Sequence, residues 1–328
     1  MYVSPERDRY WKYDSLLGWV HQPGQEGVFE TPQFRTTVQI NSQGLRDQEY
    51  SYERSDEFRR ILVLGDSFAW GYGVEAPQRF SELLESSLDA EVINAGVSGY
   101  STDQELLWFK NEGIKYLPDL VILVFAGNDI GDNERQLVNT IYYKPMYVMG
   151  ESNLELNGYP VPQTSLQGKF IYNLSQRSAL FYFLVQRYFD LHSFYRDLRF
   201  QSDVSFHPDT GSGGAGQPFE LTMALIREIR DIAASNDASF IIVATDSWWN
   251  GPPGWTYSEF IDTLHAEGFI VLDVKSIPGF IPEKMLIPDD GHWNSAGHQF
   301  VAGAIEDFID DHQELIHQRN QDDQSGAH

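Results

Sequence analysis

The sequence predicts an α/β protein of three layers, in which a central parallel sheet of about five strands lies between two layers of helices. From residue 58 onward, short apolar runs alternate with amphipathic helical segments, and this alternation is typical of parallel sheets. One of the runs, residues 120–125, is apolar without interruption, which indicates a strand buried on both faces. A chain of 328 residues that is 41% hydrophobic is also long enough to form a large core.

The hydrophobic pattern predicts the elements of this main domain in order. Apolar residues at helical spacing, such as Phe80, Leu84 and Leu88, identify the helices, and short aliphatic runs identify the strands. The predicted strands are residues 61–64, 91–94, 120–125, 239–244 and 269–272. The predicted helices are residues 80–88, 103–112, 219–234, 257–267 and 295–308.

Three segments depart from the alternation of strands and helices in the main domain, which we assign to residues 58–312. Residues 1–57 are polar and aromatic with a β-rich stretch between two turn signals, and predict an N-terminal β extension. Residues 131–215 interrupt the alternation with a predicted helix at 178–195 and a glycine-rich tract at 211–216. We interpret this insert as a lid or cap beside the site, although an ordinary helical excursion would give the same pattern. Residues 313–328 predict a disordered tail.

Composition limits the partners of the chain. The formal charge of −25 repels nucleic acid and anionic membrane surfaces. No apolar run reaches the ~18 residues of a transmembrane helix. The absence of cysteine excludes disulfides and thiolate catalysis. It also fits a cytoplasmic protein, but we favour a secreted or periplasmic bacterial one, although residues 1–30 show no signal-peptide pattern.

The first predicted strand ends in Gly65-Asp66-Ser67. Ligands of open α/β sheets bind outside the carboxyl ends of the strands, so a serine at this point is a candidate nucleophile. Glycine, aspartate and serine are also common turn residues, and a turn with an N-capping serine is an equally good interpretation of this segment alone.

A nucleophilic serine needs a base, and the base needs an orienting acid. His292 stands just before the last predicted helix, with Asp289 and Asp290 three and two residues ahead of it. Either carboxylate can reach back to Nδ1 of the imidazole, and a solvated acidic turn is the alternative. His298 is a rival base, but its position inside the predicted helix directs it away from the strand ends.

Two further loops follow predicted strands and carry hydrogen-bond donors. The first contains Gly96 and Gly99, and the second contains Asn128. Acyl transfer places negative charge on the former carbonyl oxygen, which backbone N–H groups and an asparagine amide can stabilise. Each loop alone is also compatible with a plain turn.

Together, these four blocks resemble the SGNH hydrolase superfamily of GDSL-type esterases, whose fold is flavodoxin-like. The resemblance covers about residues 58–310 and leaves out the N-terminal extension and the insert. It implies that Ser67 is the nucleophile, that His292 is the base, and that the Ser67 N–H, the Gly99 N–H and the Asn128 side chain form an oxyanion hole. Family members with Asp three residues before His favour Asp289 as the acid. The sequence Asp-Gly-His-Trp resembles polysaccharide O-acetyltransferases and favours Asp290, which we prefer. The resemblance implies no cofactor, and no second histidine stands at metal-ligand spacing to His292.

Aromatic residues adjoin these blocks, and flat aromatic faces suit sugar rings or acyl chains. The candidate substrate-binding residues are Trp70, Tyr100, Trp248, Trp249 and Trp293. We therefore expect a serine esterase that removes a small O-acyl group, with acetyl as the expected group, from a carbohydrate or another small-molecule ester. Alternatives are an O-acyltransferase to a sugar hydroxyl, a lipase or thioesterase, and a non-catalytic glycan-binding module.

Overall fold

A computed structural model describes residues 7–54, 58–138, 142–150, 153–163 and 219–312, together with residues 187 and 315. The described strands, in chain order, are β1 (Trp11–Asp14), β2 (Gly18–His21), β3 (Glu26–Glu30), β4 (Arg35–Gln39), β5 (Arg59–Gly65), β6 (Ala90–Asn94), β7 (Leu120–Ala126), β8 (Leu137–Val138), β9 (Tyr142–Tyr143), β10 (Met146–Met149), β11 (Leu154–Asn157), β12 (Ser239–Thr245) and β13 (Val271–Asp273). The described α-helices are α1 (Arg7–Tyr10), α2 (Ser67–Trp70), α3 (Phe80–Ser87), α4 (Thr102–Asn111), α5 (Asp129–Asn133), α6 (Glu220–Ser235), α7 (Tyr257–Ala266), α8 (Pro282–Met285) and α9 (Ser295–Asp311).

A five-stranded sheet in the order β13-β12-β7-β5-β6 forms the centre of the molecule, and all neighbouring strands are parallel. The predicted three-layer α/β/α fold is confirmed. Every residue of β7, the middle strand, is buried, as its uninterrupted apolar sequence indicates. The chain runs outward from β5 to β6 and then crosses to β7 on the other side of β5. This reversal opens a crevice at the carboxyl ends of these three strands.

Successive residues of each strand face opposite helix layers, because side chains alternate across a sheet. In β5, Leu62 and Leu64 belong to the core shared with α4, α6 and α7. Ile61 and Val63 belong to the core shared with α3 and α9. Burial of each such side chain stabilises the fold by about 1.5–3 kcal/mol. These two cores hold the carboxyl ends of the strands in fixed positions.

The N-terminal residues form two antiparallel hairpins, β1–β2 and β3–β4. Their aromatic side chains pack against Trp70 on α2, with ring centroids 5.4 Å away for Trp11 and 5.6 Å away for Phe29. The hairpins therefore contact the segment that directly follows the first strand of the central sheet.

The last strand begins two residues later than predicted. Residues 268 and 269 close the end of α7 instead, with the Gly268 N–H bonded to His265 O and the Phe269 N–H bonded to Leu264 O. Gly268 has a φ of 77°, the left-handed conformation common after a helix. Phe269 thus belongs to the helix terminus, although the apolar pattern alone assigns it to the strand.

Within the predicted insert, four short strands pair as β8 with β9 and β10 with β11. The sequence analysis did not predict these strands. The predicted helix at 178–195, the glycine-rich tract and the predicted tail, apart from Leu315 in the tail and Arg187 in the helix, lie outside the described residues. Among the described helices, none is long and apolar enough to cross a membrane.

Candidate active site

The turn after β5 needs each residue of Gly65-Asp66-Ser67. A Cβ on Gly65 would lie 2.7 Å from the Ala69 Cβ and 3.0 Å from the Val124 Cβ, so only glycine fits there. The Asp66 carboxylate accepts from the Phe68 N–H at 2.9 Å and caps α2. The alternative of an N-capping serine is therefore wrong, because Asp66 is the cap and Ser67 is the first residue of the helix.

Ser67, His292 and Asp290 form one line of hydrogen bonds. The Ser67 Oγ lies 2.7 Å from His292 Nε2, and Asp290 Oδ1 contacts His292 Nδ1 from the other side of the ring. Asp290 Oδ1 also accepts from the His292 backbone N–H at 3.3 Å. The serine is 7% exposed and the histidine 4% exposed, so the contacts are largely removed from water. This arrangement brings together a hydroxyl, an imidazole and a carboxylate across 225 residues of sequence.

The loop that carries His292 is fixed by backbone hydrogen bonds. The Ile287 N–H donates to His292 O at 2.8 Å, and the N–H groups of Asp290 and Gly291 both donate to Ile287 O. This turn directs the Asp290 carboxylate toward the imidazole. The neighbouring Asp289 is exposed and has a φ of 60°.

The local environment favours a neutral imidazole beside an ionised carboxylate. Burial lowers the pKa of His292 below its ordinary value, against the opposing effect of Asp290. Burial acts to raise the pKa of Asp290, but the hydrogen bond and charge of His292 outweigh it and lower that pKa. A neutral imidazole at neutral pH can accept a proton from the Ser67 hydroxyl.

Gly96 and Gly99 have different surroundings in the loop after β6. A Cβ on Gly96 would lie 2.5 Å from the Trp70 backbone N, so Gly96 lets this loop pack against α2. Gly99 is partly exposed and has a φ of 83°, and the following Tyr100 N–H closes a turn onto Val97 O. Gly99 thus combines a left-handed conformation with an accessible backbone.

Asn128 is the last residue of the loop between β7 and α5. Its Nδ2 donates to Asp132 Oδ2 at 3.1 Å, and an amide nitrogen carries a second N–H. Its Oδ1 is buried and has no hydrogen-bond partner among the described residues. The side chain is therefore oriented by Asp132 and keeps a donor that a bound oxyanion can use.

Three of the five predicted substrate-binding aromatics are buried in the core, so their assignment to a substrate surface is wrong. Trp70 lies under the N-terminal hairpins, and Trp293 packs between Phe68 and His298. The Tyr100 hydroxyl donates to Trp19 O at 2.7 Å.

The loop after β12 holds the other two predicted aromatics. Trp248 is 36% exposed, and its ring centroid lies 4.4 Å from that of His292. Its Nε1 donates to Asp290 O at 3.2 Å. Trp249 is partly buried and packs edge-to-face against Phe219 and Tyr257. Trp248 therefore borders the histidine, whereas Trp249 supports the loop.

Two aromatic contacts to His292 were not among the predicted site residues. The Tyr72 ring stacks on the imidazole with centroids 4.2 Å apart and an interplanar angle of 27°. The Phe68 ring lies 5.1 Å away. Both side chains follow Ser67 closely in sequence, and this proximity was the signal that could have identified them. The local pattern does not indicate, however, which of the nearby aromatic rings faces His292.

The rival base His298 is buried on α9, where its Nδ1 accepts from the Phe80 N–H.

Three buried carboxyl groups, those of Asp66, Glu105 and Asp129, interact with one another near the turn Gly65-Asp66-Ser67. Burial raises the pKa of Asp66 to about 7, and it raises the pKa values of Glu105 and Asp129 well above their ordinary range. No group of three or more histidine, aspartate or glutamate side chains in the described ranges has an arrangement that could hold a metal ion. Asp66, Glu105 and Asp129 are each at most 2% exposed.

A three-layer α/β/α fold with a Gly-Asp-Ser turn after the first strand of its parallel sheet is consistent with the class of SGNH-type hydrolases. The chain belongs to the GDSL-like lipase/acylhydrolase family, whose model matches residues 63–300. Its activity is accordingly acyl ester hydrolysis of the esterase or lipase type.

Solved structures of low sequence identity are similar to this chain. The psychrotrophic esterase EstA from Pseudoalteromonas sp. is 15% identical, with 78% of this chain and 98% of that chain covered and a TM-score of 0.40. A lipase/acylhydrolase from Enterococcus faecalis is 14% identical, with 78% of this chain and 97% of that chain covered and a TM-score of 0.37. No curated protein matches the chain.

Proposed function

We propose that the chain is a serine esterase that removes a small O-acyl group, acetyl in the simplest case, from a carbohydrate. The observation that carries this proposal is the 2.7 Å contact between Ser67 Oγ and His292 Nε2, with Asp290 on the opposite ring nitrogen. A hydroxyl and a base at this distance can exchange a proton directly. We assign the catalytic domain to residues 58–312, with the N-terminal extension at residues 1–57 packed against it.

In the proposed reaction, His292 Nε2 takes the hydroxyl proton as Ser67 Oγ attacks the ester carbonyl. The tetrahedral intermediate collapses when the C–O bond to the alcohol breaks and His292 returns the proton to the leaving oxygen. Water, which gives a proton to the same imidazole, then attacks the acyl-serine, and the bond from the acyl carbon to Ser67 Oγ breaks as His292 returns the proton to Oγ and the carboxylic acid leaves. Asp290 holds the Nδ1 proton and stabilises the imidazolium formed in each half of the reaction.

The proposed oxyanion hole consists of the Ser67 N–H, the Gly99 N–H and the Asn128 amide. Its supporting features are the accessible left-handed backbone at Gly99 and the amide of Asn128 oriented by Asp132. Each such donor contributes about 3 kcal/mol to lowering the barrier.

The low exposure of Ser67 and His292 favours a small acyl group over a long chain. The exposed rings of Trp248 and Trp255 favour a sugar as the alcohol, because flat aromatic faces stack against sugar rings. The proposed substrate class is therefore an O-acetylated carbohydrate.

The test measures hydrolysis of p-nitrophenyl esters from acetyl to palmitoyl, together with acetate release from acetylated glycans. We expect a preference for acetyl and a loss of at least about 1000-fold in kcat for Ser67→Ala. Ser86→Ala, which changes an exposed serine on α3, is the matched control and should keep full activity. A preference for long chains would overturn the acetyl assignment, and full activity of Ser67→Ala would overturn the nucleophile.

A further inference from the structure

We propose that Arg46, which follows the N-terminal hairpins, is a positioning residue for His292, because it anchors the loop whose Tyr72 ring covers the imidazole. This inference rests on the proposed function, in which His292 is the base. It gives the N-terminal extension a part in catalysis that the family match at residues 63–300 does not cover.

The guanidinium of Arg46 is almost completely buried and donates to backbone carbonyls of the loop at residues 70–74. Nη1 donates to Trp70 O at 3.0 Å and to Gly71 O at 2.8 Å. Nη2 donates to Val74 O at 2.8 Å and to Thr37 O of β4 at 3.1 Å. The charged group also lies over the Trp70 ring, 4.5 Å from its centroid. One side chain thus connects both ends of the loop to the hairpin β3–β4.

The loop at residues 70–74 needs such an anchor because its backbone is irregular. Gly71 and Gly73 have φ values of 79° and 86°, in the left-handed region that favours glycine. Buried carbonyl oxygens without a donor cost about 1–3 kcal/mol each. A planar guanidinium can donate to several carbonyls at once, which an ammonium group cannot do in the same geometry.

Tyr72 lies between these two glycines and connects the anchored loop to the imidazole of His292. Its ring contacts Phe34 of the extension edge-to-face at 4.8 Å and stacks on His292 at 4.2 Å. Its backbone N–H donates to Ser67 O at 3.0 Å. The ring therefore fixes one face of the imidazole, while Asp290 fixes its Nδ1 edge. A small rotation of the imidazole would misalign Nε2 with the serine hydroxyl, and such misplacement costs up to about 100-fold in rate.

The molecule offers a matched control in Arg60. Its guanidinium is also buried and donates to backbone carbonyls, including Tyr116 O at 2.9 Å and Glu53 O at 3.1 Å. It lies near the amino end of β5, at the opposite end of the strand from Ser67. Arg60→Met therefore removes a similar buried network without touching the proposed site.

The experiment compares Arg46→Met, Arg46→Lys and Arg60→Met, with active sites titrated by a fluorophosphonate and rates expressed per titrated site. We expect Arg46→Met to lower kcat for p-nitrophenyl acetate by about 10- to 100-fold with KM changed less than threefold. Arg46→Lys should recover part of the loss. Arg60→Met should keep kcat within twofold even if its melting temperature falls.

The pH profile of kcat/KM separates positioning from general destabilisation. The charged and titratable groups facing the imidazole are Asp290 on its own loop, Tyr72 and, across Ser67, Asp66. Burial lowers the pKa of His298 on α9 to about 3, so that residue stays neutral. Burial also lowers the pKa of His292, and loosening of the Tyr72 ring would admit water. We expect the acid-side midpoint to move upward in Arg46→Met and to stay in place in Arg60→Met.

Unchanged kcat and midpoint in Arg46→Met would overturn the inference, as would equal changes in the two arginine variants. If Arg46→Met does not fold, Tyr72→Leu and Tyr72→Phe decide the question. The leucine variant should lower kcat and raise the midpoint, and the phenylalanine variant, which keeps the ring, should do neither. If Ser67→Ala loses activity while Arg46→Met keeps the native kcat and midpoint, this inference alone is rejected. If Ser67→Ala keeps full activity, the proposed function is rejected.

Discussion

The imidazole of His292 is held by a different kind of contact on each side. Asp290 bonds Nδ1, the Ser67 hydroxyl lies at Nε2, and the Tyr72 ring stacks on one face. Trp248 approaches edge-to-face and also bonds the Asp290 carbonyl. Orientation of the ring therefore depends on side chains from three separate loops. Asp290 contacts the ring, whereas the adjacent Asp289 is exposed.

Replacement of each aspartate by asparagine tests this inequality. Asp290→Asn should lower kcat by about 100- to 10000-fold, because an amide cannot hold the Nδ1 proton and stabilise an imidazolium as a carboxylate does. Asp289→Asn should stay within twofold of the native rate, because Asp289 is exposed. Steady-state kinetics with p-nitrophenyl acetate measure both variants. The reverse order of effects would assign the acid to Asp289.

At the level of elements, the turn Gly65-Asp66-Ser67 combines close packing with a buried carboxyl group. Gly65 permits the close approach of α2 to β7, and Asp66 caps the helix. Burial raises the pKa of Asp66 from 3.8 to about 7. Between pH 3.8 and about pH 7, the Asp66 carboxyl group keeps its proton in the folded protein and has lost it in the unfolded chain. The stabilisation from this proton is therefore complete below pH 4 and is lost as the pH rises through about 7.

Asp66→Asn should remove this pH dependence and keep the cap, because asparagine is an equally good N-cap. Relative to the native protein, the unfolding free energy of the variant should increase by about 2–3 kcal/mol between pH 5 and pH 8. Urea unfolding at both pH values measures the difference. Asp89→Asn, at an exposed position, is the control and should show a constant difference. The same constant difference in Asp66→Asn would show that its carboxyl titrates normally in the folded state.

At the scale of the whole molecule, the centre of the main sheet was predictable from sequence because β5, β7 and β12 are buried on both faces. Uninterrupted apolar runs identify such strands, and the loops at their carboxyl ends are then the expected positions for functional residues. Ser67 was proposed in this way and His292 from the two aspartates ahead of it, and their side chains lie 2.7 Å apart although 225 residues separate them. The boundary of β13 was not predictable, because the end of α7 and the start of the strand compete for the same apolar residues.

The surroundings of the proposed catalytic residues were not predictable from local pattern. Trp70 and Tyr100 stand beside proposed site residues in sequence, yet the N-terminal hairpins bury both of them. The contact from Arg46 to the loop at residues 70–74 likewise depends on how two distant segments pack. Sequence proximity to a catalytic residue therefore does not indicate which aromatic side chains face the substrate.

The most direct test of the account is to find which residue reacts with an irreversible serine-directed phosphonate. Treatment of the native protein with a fluorophosphonate, followed by intact mass measurement and peptide mapping, should show one adduct per chain on Ser67. Hydrolysis of p-nitrophenyl acetate should fall in proportion to labelling, and Ser67→Ala should take up no label. Labelling of a different residue in proportion to the loss of activity, or equal labelling of Ser67→Ala, would contradict the proposed nucleophile.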